Sequence, residues 1–137
     1  MIYLDSSAIV KLIGVESETA ALLRWLGRHA NTGLVTSALS EVEVPRALRR
    51  TRPSSLALAA GVLRRFDRID VNNAVRATAA AYTEPHLRSL DAIHLATAEV
   101  LIASGKAISA FVSYDRRQNE GARAAGLTVA TPGASRR

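Results

Sequence analysis

Four acidic side chains occupy positions from which they can act together on a bound ion. Asp5 and Asp115 each follow a short apolar run. Glu43 lies in a predicted helix, and Asp91 lies in the first turn of another. Crowded carboxylates repel one another, and a cation offsets that cost. Oxygen ligands select hard ions such as Mg²⁺ or Mn²⁺. Because such an ion activates water and neutralises charge on phosphorus, the chemistry we infer is metal-assisted phosphodiester cleavage.

Each acid also has a purely structural explanation, and residue chemistry alone leaves both explanations open. Aspartate is a favoured helix N-cap, which accounts for Asp5 equally well. Glu43 and Asp91 can be an ordinary exposed acid and a first-turn acid that suits the helix dipole. The sequence contains no short metal motif such as His-Glu-x-x-His.

His94 lies one turn after Asp91, so both residues occupy the same face of the predicted helix. Histidine is a common metal ligand, but this chain has no cysteine and no second histidine nearby. We therefore favour a hydrogen-bonded packing role for His94 over a role as a ligand.

Three further polar residues lie close to the acids in the sequence. Ser7 and Ser113 can orient Asp5 or metal-bound waters, although serine is also common in caps and turns. Asn119 lies one turn beyond Asp115 and is within reach of the same region. We expect Asn119 to be exposed to solvent.

The elements that position these residues alternate between strand and helix. Apolar runs at 2–4, 34–36, 68–71, 110–114 and 127–130 predict short strands, and helical periodicity fills most of the segments between them. This alternation predicts an α/β fold with a mostly parallel sheet. Ligands of such sheets bind beyond the carboxyl ends of the strands, so Asp5 and Asp115 face each other if their strands are neighbours.

Two of the predicted helices carry features of their own. Pro45 lies inside the helix predicted over 37–50, and because proline removes a backbone hydrogen bond we expect a kink or a late start. The same helix ends in a basic run, after which a further helix is predicted over 54–66. This run complements the helix dipole or contacts phosphate, and both interpretations remain open. Its members are Arg46, Arg49, Arg50 and Arg52.

The composition narrows the classes of partner. The 137-residue length suits one domain, and the net charge of +6 favours an anionic partner such as nucleic acid or an acidic protein. Aromatic residues make up only 4%, which argues against a base-stacking platform. The absence of cysteine excludes disulfides and thiolate metal sites. We see no leader and no membrane span, and we expect a cytoplasmic protein.

Four stretches together resemble the PIN-domain family and, within it, the VapC toxins of bacterial toxin–antitoxin pairs. They are LDSSAIVKL at Leu4–Leu12, SALSEVEVPRAL at Ser37–Leu48, LRSLDAIHLATA at Leu87–Ala98 and VSYDRRQNEGARAAGLTV at Val112–Val129. The resemblance runs from Met1 to about Pro132, and each stretch contains one of the acids. In the second stretch, the residues that follow favour Glu43 over Glu41 as the matching acid.

This resemblance implies a single PIN domain over residues 1–131, followed by a polar C-terminal tail at 132–137. The implied fold is a central five-stranded parallel sheet in the order 3-2-1-4-5, with helices on both sides. The implied activity is that of an Mg²⁺- or Mn²⁺-dependent endoribonuclease that cleaves structured RNA such as tRNA or rRNA. Asp5, Glu43, Asp91 and Asp115 are its implied metal and catalytic residues, and Ser7 supports the first of them. A homodimer inhibited by a VapB-type antitoxin is also implied.

Two other functions compete with a ribonuclease. A catalytically inactive PIN-fold module that binds RNA or protein would keep the fold, although the presence of all four acids argues against it. A metal phosphatase acting on small molecules ranks last. The basic charge suits a polymer, and no Asp-x-Asp follows the first strand.

Overall fold

Five short strands form one parallel sheet in the order β3-β2-β1-β4-β5 in the computed structural model, which describes residues 1–135. The strands are β1 (Ile2–Leu4), β2 (Leu34–Ser37), β3 (Asp67–Ile69), β4 (Ala110–Val112) and β5 (Val129–Ala130). The first strand is central and pairs with β2 on one side and β4 on the other. The predicted parallel sheet and strand order are confirmed.

Seven α-helices connect the strands within the described residues. They are α1 (Ser6–Ile13), α2 (Thr19–Gly27), α3 (Ser40–Thr51), α4 (Ala59–Leu63), α5 (Asn73–Ala80), α6 (Ser89–Ala103) and α7 (Arg116–Ala124). A 3₁₀ helix at Pro53–Leu58 separates α3 from α4. None of the helices in residues 1–135 has both the length and the apolar character needed to cross a membrane.

Helices cover both faces of the sheet, and the strand period of two divides the core accordingly. Ile2 and Leu4 pack on one face, against α1 to α4. Tyr3 and Phe111 pack on the other, with α6 and α7. All residues of β1 and β4 are buried, which is typical of central parallel strands with helices on both sides.

Local sequence signals set several element ends. Asp5, Asn72 and Asp115 cap α1, α5 and α7, and in each case the side chain accepts a hydrogen bond from the backbone N–H three residues later. Gly105 and Gly126 follow α6 and α7 with φ of +97° and +86°. These left-handed conformations favour glycine, as expected at the residue after a helix end.

Some element bounds match the sequence-based expectation and others differ. Helix α3 starts late, at Ser40, which is one of the two outcomes expected from Pro45, and it keeps that proline in its second turn. The single helix predicted over 54–66 is divided into the 3₁₀ helix and α4. Ser89 is the N-cap of α6 that the sequence predicts, because serine favours that position, but the N-cap is Arg88, which has extended backbone, and Ser89 is already helical.

The predicted polar tail begins in contact with the domain. The hydroxyl of Tyr114 donates a 2.7 Å hydrogen bond to the carbonyl of Pro132. Arg136 and Arg137, the last residues of the predicted tail, lie outside the described residues.

Candidate active site

The two acids that end strands lie at the same edge of the sheet. Asp5 directly follows β1, and Asp115 lies three residues after β4. Since β1 and β4 are parallel neighbours, their carboxyl ends meet. The backbone N–H of Asp5 donates to the carbonyl of Val112 at 3.1 Å, which joins the two chain segments at this point.

Ser7 connects Asp5 to the segment that carries Asp115. Its hydroxyl donates to Asp5 Oδ1 at 2.6 Å and accepts from the backbone N–H of Tyr114 at 3.0 Å. Ser113 Oγ accepts from the backbone N–H of Asp115 at 3.0 Å and lies 3.5 Å from Ser7 Oγ. Ser7 therefore orients Asp5, which is one of the two roles that the sequence left open for it.

A second hydrogen-bond network holds Glu43. Its Oε1 accepts from Ser6 Oγ at 2.7 Å and lies 2.7 Å from His94 Nε2. At its other nitrogen, His94 Nδ1 lies 2.6 Å from the hydroxyl of Tyr3. His94 is therefore buried and hydrogen-bonded at both ring nitrogens, as the packing role favoured from the sequence requires. Ser6 and Tyr3 were not singled out from the sequence, because nothing local distinguishes them from a helix start and a strand residue.

The electrostatics of the site show that the aspartates interact with one another. Burial raises the pKa of the Asp5 carboxyl, and the nearby His94 and several hydrogen bonds only partly oppose that effect. Burial also raises the pKa of Asp91, and the negative charges of Asp115 and Asp5 raise it further. Three carboxylates therefore share one region of negative potential.

Glu43 shows the opposite behaviour. Its partial burial alone would raise its pKa, but the hydrogen bonds from His94 and Ser6 and the electrostatic effect of His94 outweigh it. The pKa of Glu43 consequently lies below its usual range, and the carboxylate is held in the ionised form. Its side chain remains 24% exposed, so solvent and ligands can reach it.

These carboxylates suit a hard cation that keeps some of its own waters better than a cation enclosed entirely by protein ligands. In residues 1–135, no three Asp, Glu or His side chains are arranged closely enough to hold a metal ion by themselves. Within the same part of the chain, no lysine or arginine forms a salt bridge with Asp5, Asp91 or Asp115. Mg²⁺ keeps several of its waters and takes few carboxylates, so an open set of uncompensated oxygens suits it.

Two cavities adjoin the acids and share Ser7 in their walls. One, of about 470 Å³, is lined by Glu43, Arg46 and Arg50 as well as by exposed apolar side chains of α3 and α6. The other, of about 520 Å³, is lined by Asp115 and by cations that include Lys11 and Arg52. Because they share that wall, the two cavities lie side by side, with Glu43 in one and Asp115 in the other, and basic residues line both; this pair of cavities is the basic cleft.

Asn119 contradicts the expectation of solvent exposure. It is only 5% exposed, and its side-chain amide donates to the carbonyl of Ser113 at 2.8 Å. The Asp115 cap fixes the start of α7 against the end of β4, so the residue one turn later lies on the buried face. Its Oδ1 has no hydrogen-bond partner among the residues that the structure describes.

Comparison with known proteins finds relatives along almost the whole chain. The PIN domain family model matches residues 2–124. Ribonuclease VapC35 of Mycobacterium tuberculosis is 48% identical over 136 residues, which cover 99% of this chain and 100% of that protein. Ribonuclease VapC46 of the same organism is 41% identical over 132 residues, which cover 96% of this chain and 97% of that protein.

A solved structure supports the fold independently. The crystal structure of Mycobacterium tuberculosis VapC20, described as a Sarcin-Ricin loop cleaving toxin, superposes with a TM-score of 0.72. The match covers 96% of this chain and 100% of that chain. At 19% sequence identity, the likeness is one of fold.

Proposed function

This chain belongs to the PIN-domain family, and because it is a VapC-type ribonuclease toxin we propose that it cleaves structured RNA with a bound Mg²⁺ or Mn²⁺. VapC ribonucleases of this family generally depend on a divalent metal. The proposed metal and catalytic residues are Asp5, Glu43, Asp91 and Asp115. The observation that carries the proposal is that the negative charges of Asp115 and Asp5 raise the pKa of Asp91, while no lysine or arginine among the described residues forms a salt bridge with any of the three.

The chain's own residues prepare the site before any ion arrives. Ser7 and the backbone N–H of Ala8 both bind Asp5 Oδ1, which fixes the rotamer of that carboxylate. Asp91 lies in the first turn of α6, where the helix dipole favours a negative charge. A metal bound here would activate a water molecule and neutralise charge on the scissile phosphate.

The basic cleft is the proposed RNA-binding surface. Arg46 and Arg50 follow Glu43 on the exposed side of α3, three and seven residues later. With a rise of about 1.5 Å per residue, they lie about 4.5 and 10.5 Å farther along the helix axis. When the scissile phosphate of an RNA strand reaches the acids, the neighbouring phosphates would therefore lie beside these guanidinium groups.

The finer features of the substrate and partner belong to the same proposal. The substrate is structured RNA such as tRNA or rRNA, and the solved relative that is described as a Sarcin-Ricin loop cleaving toxin supports this class. A VapB-type antitoxin, acidic overall, would insert a basic side chain among the carboxylates. We propose that the toxin works in the cytoplasm as a homodimer. Co-expression with the adjacent small gene should relieve growth arrest, and a lack of relief would count against the pairing.

The test of the activity uses purified protein, tRNA and rRNA with Mg²⁺ or Mn²⁺. Wild-type protein should cut at discrete positions, and chelation of the metal should stop the reaction. Asp5→Asn should not cut. Equal cleavage by both proteins would reject the role of Asp5, whereas a lack of Mn²⁺ binding at neutral pH would favour the inactive binding module. Sequencing of RNA ends after induction identifies the target.

A further inference from the structure

The hydrogen-bond network around Glu43 falls on only one of its two carboxylate oxygens. Within the described residues, Ser6 and His94 both contact Oε1, and no hydrogen bond reaches Oε2. We propose that His94 is a positioning residue that holds Glu43 so that Oε2 is the oxygen offered to the metal. This inference rests on the proposed function and adds a residue to it.

The donors and acceptors in this network follow from the chemistry of the groups. An ionised carboxylate can only accept hydrogen bonds, so His94 Nε2 must carry a hydrogen to lie 2.7 Å from Glu43 Oε1. On the other side of the ring, Nδ1 pairs with the Tyr3 hydroxyl at 2.6 Å, and a hydroxyl can donate to a bare nitrogen or accept from an N–H. The hydrogen-bond network therefore places a hydrogen on His94 Nε2.

The ring of His94 has little freedom to adopt another arrangement. His94 is 3% exposed and packs edge-on against Tyr3, with ring centroids 5.8 Å apart and an interplanar angle of 79°. Tyr3 is fully buried and stacks on Phe111 with a centroid distance of 5.1 Å. A strand residue of the central sheet thus fixes the histidine, and the histidine fixes the acid.

Packing alone does not explain a histidine at this position. Burial of two ring nitrogens costs free energy unless both are hydrogen-bonded, and an apolar side chain would avoid that cost. Here both nitrogens are paired, and one pairs with a proposed metal acid. Side chains that orient a metal ligand in this way typically change metal affinity or activity by roughly 10- to 100-fold when they are replaced.

The experiment compares His94→Leu, which fills the space without a donor, with His94→Gln, which restores an N–H donor. His29→Gln is the control, because His29 lies just after α2 and its side chain hydrogen-bonds only the Trp25 carbonyl among the described residues. Calorimetric Mn²⁺ titration of metal-free protein is the first readout, and thermal unfolding confirms that each variant is folded. Separate kcat and KM values for RNA cleavage are the second.

We expect His94→Leu to bind Mn²⁺ roughly 10- to 100-fold more weakly and to lose kcat, while KM for RNA stays near the wild-type value. His94→Gln should recover most of both losses, and His29→Gln should match wild type. Wild-type Mn²⁺ affinity in folded His94→Leu would overturn the positioning role. Equal losses in the leucine and glutamine variants would also overturn it.

Two further measurements separate this inference from the proposed function. Asp5→Asn reports on the metal site as a whole, so an Mn²⁺ affinity that this variant does not change defeats the proposed function itself. Long-range ¹H–¹⁵N NMR of metal-free protein reports on His94 alone. A ring protonated at Nε2 supports the assignment, and a ring with a bare Nε2 overturns it.

Discussion

The hydroxyl of Ser7 lies 2.6 Å from Asp5 Oδ1, so the second residue of α1 holds the acid that caps the same helix. Asparagine is also a good N-cap and keeps the acceptor for Ser7 and Ala8. Asp5→Asn should therefore fold normally but lose the charge. We expect its cleavage rate to fall by more than the roughly 10- to 100-fold cost of changes to supporting residues. RNA cleavage assays and thermal unfolding check both parts, and cleavage within tenfold of wild type would contradict the prediction.

A divalent metal should stabilise the wild-type fold. A ligand that binds only the folded state adds about 2.7 kcal/mol when its free concentration is about 100 times Kd. We expect Mn²⁺ to raise the Tm of wild-type protein and to have much less effect on Asp91→Asn. Differential scanning calorimetry with and without Mn²⁺ measures this. An equal shift in both proteins would place the ion elsewhere on the chain.

Without a bound metal, the same negative charges should destabilise the folded protein. The folded pKa of Asp91 lies above its usual value of 3.8, so the folded state holds that proton more tightly than the unfolded state. The stability that this group contributes is present in full below pH 3.8 and is lost as the pH rises through the folded pKa. Asp91→Asn should therefore be more stable than wild type at pH 7.

The difference between Asp91→Asn and wild type should shrink as the pH falls toward 3.8, because both side chains are then uncharged. Urea unfolding across this range, without metal, measures the trend. Asp70→Asn is the control, since Asp70 is exposed. An advantage of Asp91→Asn that does not change with pH would contradict the electrostatic explanation.

The salt dependence of RNA binding should identify the phosphate contacts. Each phosphate contact contributes about 0.7 to 0.9 to the slope of log K against log salt concentration. Arg46→Gln and Arg50→Gln are made in the Asp5→Asn background so that the RNA stays intact. Each should reduce the magnitude of the slope by the amount that about one phosphate contact contributes. Fluorescence anisotropy gives the binding constants. Arg64→Gln is the control, because Arg64 is an exposed arginine just after α4 and its replacement should leave the slope unchanged. An equal effect of all three changes on the slope would point to non-specific attraction.

Gln118 gives a prediction about stability alone. It is fully buried, and neither of its side-chain polar atoms has a hydrogen-bond partner within residues 1–135. An unpaired buried polar group costs about 1–3 kcal/mol. Gln118→Leu, of similar size, should raise the free energy of unfolding by about that amount in urea, whereas Gln118→Ala should lower it by leaving a cavity. A destabilised leucine variant would show that the amide is paired after all.

Local chemistry accounts for the parts of the site that could be predicted from the sequence. Asp5 and Asp115 stand between an apolar strand and a helix, and the capping preference of aspartate marks both helix starts. That these two strands are neighbours could not be derived from either segment. It came from the resemblance of four separated stretches to one family, and the strand pairing confirms it.

Long-range contacts account for what was missed. His94 and Tyr3 are 91 positions apart in the chain, and Glu43 is 51 positions from His94, so no local pattern links them. Asn119 looked like a surface residue because the N-terminal turns of α7 are polar. Its burial arises from the packing of that turn on the end of β4, which is a tertiary effect.

The pairing of β1 with β4 has a consequence for the timing of activity. The first strand of the chain finds one of its two partners only at residues 110–112, and Asp115 follows that partner. During synthesis, the first three acids are therefore made before β4, so they precede the strand that completes the centre of the sheet. The four proposed metal residues can therefore come together only when synthesis of the chain is nearly complete.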